Sequence, residues 1–176
     1  MINPFVKPKV LPPMSDAECR HILDSVGGEF RISLLIGFNT GISLQELLTL
    51  RWSDCSFSDR VIVILKKDSQ RDVILPIKIM SLLQEYKNGK SNNAQLIFSF
   101  SIRDYQRRLE RAGAAAGISL TWQRIRSTYA ANAAKAGIPI LIAARSMGTS
   151  PNGIVHYWRL SLEQSRELIQ DSLVKV

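Results

Sequence analysis

Cysteine and histidine are scarce in this sequence, and their positions argue against metal chemistry. The chain has two of each, Cys19, Cys55, His21 and His156, with no Cys-x-x-Cys pair and no His-Glu-x-x-His motif. Structural and catalytic zinc sites draw on such closely spaced ligands. The sequence also lacks the glycine-rich loops that hold nucleotide phosphates. We therefore expect no metal, no cofactor and no nucleotide, so any chemistry must come from ordinary side chains.

Long apolar runs are absent as well. No stretch approaches the roughly 18 to 20 apolar residues that a membrane helix needs, and the opening segment MINPFVKPKVLPP lacks the apolar core of a secretory signal. Disorder is not expected either, because 45% of the 176 residues are hydrophobic and glycine and proline number only ten and seven. These features predict one globular domain in the cytoplasm, without membrane association.

The positive charge is concentrated in the middle of the chain. The formal net charge is +8, and residues 60–126 hold 13 Lys and Arg against 5 Asp and Glu, which accounts for the whole excess. Within this segment Arg103, Arg107 and Arg111 recur every four residues, which places them along one face of a helix. Such a row suits the phosphate backbone of nucleic acid. A solvated helix face is the alternative for the row taken alone.

Local signals predict a mostly helical chain with a small sheet. Ser15 with Glu18, and Ser43 with Glu46, have the spacing of capping boxes, so a helix is expected to start at each serine. The segment EFRISLLIGFNTG is apolar on most faces and predicts a buried helix capped by Gly41. The segment RVIVILKKDSQRDVILPI predicts a β-hairpin. We expect about eight helices around this sheet, after an arm at residues 1–13.

Five segments, in this order, carry a family resemblance: LPPMSDAECRHIL, TGISLQELLTLRWSD, VILKKDSQRDVILP, QRIRSTYAANAAKAG and SMGTSPNGIVHYW. Together they resemble the catalytic domain of the tyrosine recombinase (phage integrase) family, whose boxes include TGxRxxELxxLxWxD, HxLRHTFAxxxxxxG and LGHxxxxTTxxYxH. The resemblance covers nearly the whole chain. It implies an α+β, mainly α domain over residues 14–176, with a small antiparallel hairpin or three-stranded sheet. Family members also carry an N-terminal helical domain, and residues 1–13 are interpreted as a remnant of the linker to it or as the start of a minimal form.

The resemblance also assigns roles to three residues. Tyr157 falls at the position of the nucleophile, which attacks a DNA phosphate and forms a 3′-phosphotyrosine intermediate. Arg126 falls on the second family arginine, which grips the phosphate oxygens. Lys66, with Lys67 as the alternative register, would protonate the leaving 5′ oxygen. The competing interpretations are a core aromatic for Tyr157, a surface ion pair for Arg126 and a solvated turn residue for Lys66.

Three positions depart from the family pattern. Ser43 stands where the family has its first arginine, and a helix cap is the favoured interpretation of that serine. Gln123 replaces a histidine or lysine, and Thr149 replaces the histidine of LGH, so a titratable group is lost at both. His156 is a weak substitute, because neighbours in a helix point about 100° apart. Cations that could fill the phosphate site instead are Arg51, Arg71, Arg124 and Arg145.

The sequence thus supports two hypotheses of different kinds. The first is an enzyme that cuts and rejoins double-stranded DNA for integration or excision of a prokaryotic or phage mobile element. The second is a degenerate homologue that binds DNA or a partner without cutting. In either case the residues expected to contact DNA are Arg71, Arg103, Arg107, Arg111 and Arg124. The amphipathic segment SLEQSRELIQDSL, near the end of the chain, is expected to pack on its own domain or to dock onto a second copy.

Overall fold

The computed structural model describes residues 11–66, 69–90 and 95–159. This part of the chain is mainly helical, with one antiparallel sheet of three strands. The α+β, mainly α class expected from the sequence is therefore confirmed. No helix of the described ranges is both long and apolar enough to pass through a bilayer.

Eight α-helices are described: α1 (Asp16–Ser25), α2 (Gly28–Thr40), α3 (Leu44–Thr49), α4 (Ile77–Asn88), α5 (Ile102–Ala115), α6 (Trp122–Lys135), α7 (Ile140–Met147) and α8 (Pro151–Ile154). The strands are β1 (Cys55–Ser56), β2 (Val61–Lys66) and β3 (Ser69–Ile74). Two 3₁₀ helices, Trp52–Asp54 and Val155–Trp158, complete the regular structure of these residues.

Helix ends follow the capping signals of the sequence. Ser15 and Ser43 each accept a hydrogen bond from the backbone N–H of a glutamate three residues on, and each glutamate accepts one from the serine N–H in return. Both expected capping boxes are thus present. Helices α2 and α7 end at Gly41 and Gly148, each with φ of +64°, a left-handed conformation that glycine adopts without a Cβ penalty.

Helix α2 is the centre of the main core. It packs against α1, α4, α6 and α7, and most of its faces are buried, as its apolar sequence predicts. The indole of Trp122 on α6 lies directly on Gly37 and leaves no room for a Cβ there. The indole Nε1 also donates to the carbonyl of Ile42 at 2.9 Å. These contacts fix the start of α6 against the end of α2.

The sheet is a meander in the order β1, β2, β3. The predicted hairpin pairs Ile62 with Val73 and Ile64 with Arg71. Strand β1 was not predicted, because two residues carry no readable alternation. Outside the sheet, Leu96 forms an isolated antiparallel bridge with Arg51.

A second, smaller core holds the C-terminal part of the described chain. Helices α6 and α7 contribute alanines such as Ala130 and Ala143, α8 contributes Ile154, and Tyr157 and Trp158 pack against this cluster. Trp158 Nε1 donates to the carbonyl of Ile138 at 2.9 Å. The 3₁₀ helix that carries Tyr157 is thereby held against α6.

The chain is already anchored at Pro12, just before the predicted domain start. The carbonyl of Pro12 accepts from Arg124, and the N–H of Met14 donates to Thr128 Oγ1 at 2.9 Å. Residues 1–10 of the predicted arm, and the C-terminal segment SLEQSRELIQDSL, lie outside the described residues.

Candidate active site and DNA interface

Arg126 lies where two helices end. Its Nε donates to the carbonyl of Gly41 at 2.8 Å, and its Nη2 donates to the carbonyl of Met147 at 3.0 Å. These carbonyls belong to the C-terminal ends of α2 and α7, where the helix dipole places partial negative charge. The two ends therefore position and stabilise the guanidinium without neutralising it.

Part of the Arg126 guanidinium remains available to a ligand. Nε and Nη2 use two of its five N–H donors, and Nη1 has no acceptor in residues 11–66, 69–90 or 95–159. Nη1 of Arg126 is not among the buried side-chain polar atoms without a partner, of which Tyr86 Oη is the one found in these ranges. The side chain as a whole is half-buried.

Glu46 is the carboxylate around which the other cations gather. Arg71 donates from Nη1 to Oε1 at 2.9 Å and from Nη2 to Oε2 at 2.8 Å, a bidentate pair between β3 and α3. Lys66 Nζ lies 3.2 Å from Oε1. Glu46 is 9% exposed and Arg71 12%, whereas Lys66 is 52% exposed.

The pKa values reflect this arrangement. Burial alone raises the pKa of Glu46, but the hydrogen bonds from Arg71 and Ser43 outweigh it and lower the pKa from 4.5 to about 2. Burial lowers the pKa of Arg126, Glu46 raises it and Arg71 lowers it further. Arg126, Glu46 and Arg71 therefore lie within electrostatic range of one another.

We call Lys66, Arg71 and Arg126 around Glu46 the cation pocket. Lys66 and Arg71 contact the carboxylate of Glu46 and Arg126 lies within electrostatic range of it, so these four groups together carry a net charge of +2. Half-buried charge is costly unless it is paired. A guanidinium edge beside a second guanidinium matches a tetrahedral oxyanion, and the pocket is thus suited chemically to bind a phosphate group.

The three residues that depart from the family pattern lie in different surroundings. Ser43 caps α3, as favoured from the sequence, since its Oγ accepts from the N–H of Glu46 at 3.3 Å. Gln123 is exposed near the start of α6. Thr149 follows the Gly148 cap, and its N–H donates to the carbonyl of Ala144 at 3.0 Å.

Tyr157 is partly buried, with its ring against the smaller core and its hydroxyl without a hydrogen bond to any described residue. The neighbouring His156 differs from expectation. Its ring centroid lies 4.0 Å from that of Tyr157, with the planes tilted by 42°. The segment is a 3₁₀ helix, in which neighbouring side chains leave the backbone about 120° apart, so the contact between the two rings is not a consequence of the helix type.

The basic row on α5 is exposed. Arg103, Arg107 and Arg111 all lie on the solvent side of the helix, and Arg107 has one loose ion pair, 3.8 Å from Asp104. Their guanidinium groups are thus available to a large polyanion. Lys67, the alternative to Lys66, lies outside the described residues.

Arg124 requires a correction. It is 8% exposed, and it donates to the carbonyls of Pro12 and Ser119 and to Glu18 Oε1 at 2.9 to 3.0 Å. The expectation that Arg124 contacts DNA is wrong, because its guanidinium is used to fasten the N-terminal segment and α1 to α6. The side chain of its neighbour Arg126 leaves the helix in a different direction, toward the cation pocket.

Sequence reasoning missed Glu46 as the centre of the pocket and treated Arg71 only as one of several cations. A signal existed, since Glu46 is the acidic residue of the TGxRxxEL box. Its partner, however, is 25 residues away along the chain and becomes apparent only in the folded structure.

The fold, mainly helical with a three-stranded sheet, is that of an integrase catalytic domain. Residues 12–163 match the phage integrase family, and the chain belongs to that family. The resemblance to tyrosine recombinase catalytic domains is thus confirmed.

Individual relatives are distant. The tyrosine recombinase XerA of Pyrococcus furiosus is 21% identical over 184 residues, which cover 96% of this chain and 64% of the relative. The Tn1549 transposon integrase bound to a circular intermediate DNA superposes with a TM-score of 0.81 at 16% identity, over 98% of this chain and 68% of that one. The catalytic domain of bacteriophage HP1 integrase gives 0.71 at 16% identity, over 92% and 95%. The chain thus spans less than two thirds of the curated relative it matches.

Proposed function

We propose that this domain cuts and rejoins double-stranded DNA at specific sites through a 3′-phosphotyrosine intermediate, in integration or excision of a mobile element. The observation that carries the proposal is the cation pocket, in which Arg126 presents free N–H donors beside Arg71 and Lys66 and the net charge with Glu46 is +2. A DNA phosphate has the charge and the geometry to fill it.

The proposed step is a transesterification. Tyr157 Oη attacks the phosphorus, the bond from phosphorus to the 5′ oxygen breaks, and the tyrosine proton passes to solvent. Arg126 holds nonbridging oxygens and stabilises the charge that develops on them. Lys66, kept beside Glu46, donates a proton to the leaving 5′ oxygen. Attack of a second 5′ hydroxyl on the phosphotyrosine reverses the step and joins a new strand.

The partner proposed from these features is duplex DNA, with the excess charge of residues 60–126 facing it. The Tn1549 integrase structure contains a DNA circular intermediate, which supports a DNA partner and a mobile-element role for this chain. A second copy on the same DNA is the other proposed partner, through the C-terminal segment that lies outside the described residues.

Covalent trapping tests the reaction. The wild-type protein is incubated with nicked DNA fragments from its source, denatured, and digested for mass mapping. We expect a DNA adduct on the peptide that contains Tyr157, since a nick lets the cleaved 5′ end leave and prevents rejoining. An adduct on another residue, or none together with salt-sensitive DNA binding, would contradict the proposed reaction.

The second candidate is a homologue that binds DNA without cutting. Ser43, Gln123 and Thr149 favour it, because each lacks the charge or the proton carrier of the family pattern. Loss of one preorganised oxyanion donor costs about 10²- to 10³-fold in rate. Absence of any adduct beside intact DNA binding would select this candidate.

Replacing Arg103, Arg107 and Arg111 together with alanine is expected to weaken DNA binding and to flatten its dependence on salt. Each lost phosphate contact reduces the slope of log K against log salt by roughly 0.9. Fluorescence anisotropy with a labelled duplex at several salt concentrations measures the slope. Arg20→Ala on α1, an exposed arginine outside residues 60–126, is the control. An unchanged slope in the triple variant would show that the row is a solvated face.

A further inference from the structure

We propose that Arg71 is the second guanidinium on the scissile phosphate and replaces the arginine that the family box has where this chain has Ser43. The inference rests on the proposed function, since it assigns a residue to the same phosphate site. Arg71 acts here as a catalytic residue through the N–H of Nη1 that Glu46 leaves free.

The first argument is the position of the guanidinium relative to residue 43. Oε2 of Glu46 accepts both from the backbone N–H of Ser43 at 2.9 Å and from Nη2 of Arg71 at 2.8 Å. One carboxylate oxygen therefore joins the backbone at position 43 to the Arg71 guanidinium. Arg71 extends from β3, and its positively charged guanidinium thus lies beside residue 43, where the family has an arginine.

The second argument is that Arg71 and Arg126 share their anchors. Arg71 Nε and Nη2 lie 3.4 Å from the carbonyl of Ser146, and Arg126 Nη2 donates to the next carbonyl, that of Met147. Arg126 also binds the carbonyl of Gly41, two residues before Ser43. The same two chain segments therefore hold both guanidiniums, at adjacent attachment points.

Gly148 makes room for this arrangement. A Cβ at position 148 would lie 2.7 Å from Arg71 Cζ and from Nη2. The absence of a side chain at Gly148 thus lets the guanidinium lie flat over the end of α7. This places it directly before Thr149, where the family has its phosphate-donor histidine.

The other candidate cations do not fit. Arg124 is buried against Glu18, as described above. Arg145 is 65% exposed, and its Nη2 lies 3.9 Å from Asp72. Arg51 is exposed and makes no ion pair with Glu46 within the described ranges. Arg71 alone among the four shares carboxylate and carbonyl anchors with the cation pocket.

The ion pair with Glu46 does not use all the N–H donors of Arg71. Nη1 gives one N–H to Oε1 and keeps another, which has no acceptor in residues 11–66, 69–90 and 95–159. That donor hydrogen-bonds to one nonbridging oxygen, while Arg126 holds the other. No bond to Arg71 forms or breaks, and its charge offsets the negative charge that grows on the oxygens as Tyr157 attacks.

A substitution cycle between positions 43 and 71 tests the inference. Duplex binding is measured across a salt series with a labelled random-sequence duplex, for the wild type, Arg71→Ala, Ser43→Arg and the double variant. We expect Arg71→Ala to lower the slope by about 0.9 and Ser43→Arg to restore it in that background. Ser43→Arg is expected to add much less to the wild type, where the site is already filled. Arg71→Gln, which removes the charge but can still donate a hydrogen bond to Glu46, takes the place of Arg71→Ala if the latter does not fold.

Arg145→Ala is the matched control, because it removes the same charge from the end of α7. The gain from Ser43→Arg in that background is expected to equal its gain in the wild type. An unchanged slope in Arg71→Ala or Arg71→Gln, or equal gains from Ser43→Arg in all backgrounds, overturns the role of Arg71 and leaves the proposed function standing. A wild type without salt-dependent duplex binding overturns the proposed function and this inference together.

Discussion

Replacing Tyr157 with phenylalanine is expected to abolish the covalent protein–DNA adduct completely. The substitution removes only the attacking oxygen, and water at the same place would not leave DNA attached to the protein. The ring packs against the smaller core, and its hydroxyl makes no hydrogen bond to any residue that the structure describes. We therefore expect the free energy of unfolding to change by less than about 0.5 kcal/mol and DNA affinity to stay at the wild-type value.

The adduct is measured by denaturing electrophoresis of labelled DNA after trapping, beside chemical unfolding of the same samples. Tyr86→Phe serves as the control, since Tyr86 lies on α4 against Trp52, with its hydroxyl buried and unpaired. That variant is expected to keep the adduct. An adduct that persists in Tyr157→Phe would place the nucleophile elsewhere and return Tyr157 to the role of a core aromatic.

The elements that were predicted correctly are those with local signals. A serine followed by a glutamate three residues later predicts a helix start from local sequence, and the capping boxes at Ser15 and Ser43 form as expected. The same is true of the hairpin, whose two β-branched runs flank a polar turn. Strand β1 was missed because its two residues pair only through the sheet.

The partners of individual side chains were harder to predict from the sequence, because they depend on contacts between segments that are distant along the chain. Arg124 and Arg126 stand two positions apart on α6. Arg124 donates to Glu18, Pro12 and Ser119, whereas Arg126 donates to described residues only through Nε and Nη2. Nothing in the sequence of α6 distinguishes them except the family box. The position of a residue on a helix predicts which way its side chain points. Which groups that side chain binds depends on the neighbouring elements in the folded structure.

For the same reason, only one of two properties of Ser43 could be predicted from the sequence. Its capping role could be inferred from its spacing to Glu46, and that role is present. The consequence for catalysis could not, because Arg71 reaches Glu46 from a strand 25 residues further along the chain. Glu46 thus has two tasks: it completes the cap of α3 and it binds the side chain of Arg71.

Replacing Glu46 with glutamine is expected to lower the free energy of unfolding by about 3 kcal/mol or more at pH 7. Removal of one partner from a buried ion pair typically costs about 3 to 5 kcal/mol, because the remaining charge stays buried without compensation. Here Arg71, 12% exposed, would lose its carboxylate beside Arg126 and Lys66. The three cations would then repel one another with no charge of opposite sign between them.

The pH dependence of stability gives this prediction a direction. The pKa of Glu46 in the folded protein is lowered to about 2 from 4.5, so its stabilising contribution is fully present above pH 4.5. As the pH falls through this interval the unfolded chain takes up the proton first, and the contribution is lost progressively toward pH 2. At about 1.4 kcal/mol per pKa unit, this loss is of the same size as the effect of the substitution.

Urea unfolding of the wild type and Glu46→Gln at pH 7, 5, 4 and 3 measures both effects. We expect a large gap in unfolding free energy at pH 7 that narrows steadily below pH 4.5, because the unfolded wild-type chain binds a proton at Glu46 that the folded carboxylate, with its pKa near 2, does not bind. Glu85→Gln, an exposed glutamate on α4, is the matched control and should follow the wild type at every pH. A constant gap from pH 7 to pH 3 would mean that the charge of Glu46 does not stabilise the pocket. The glutamine would then destabilise the protein only through its different packing and hydrogen bonding.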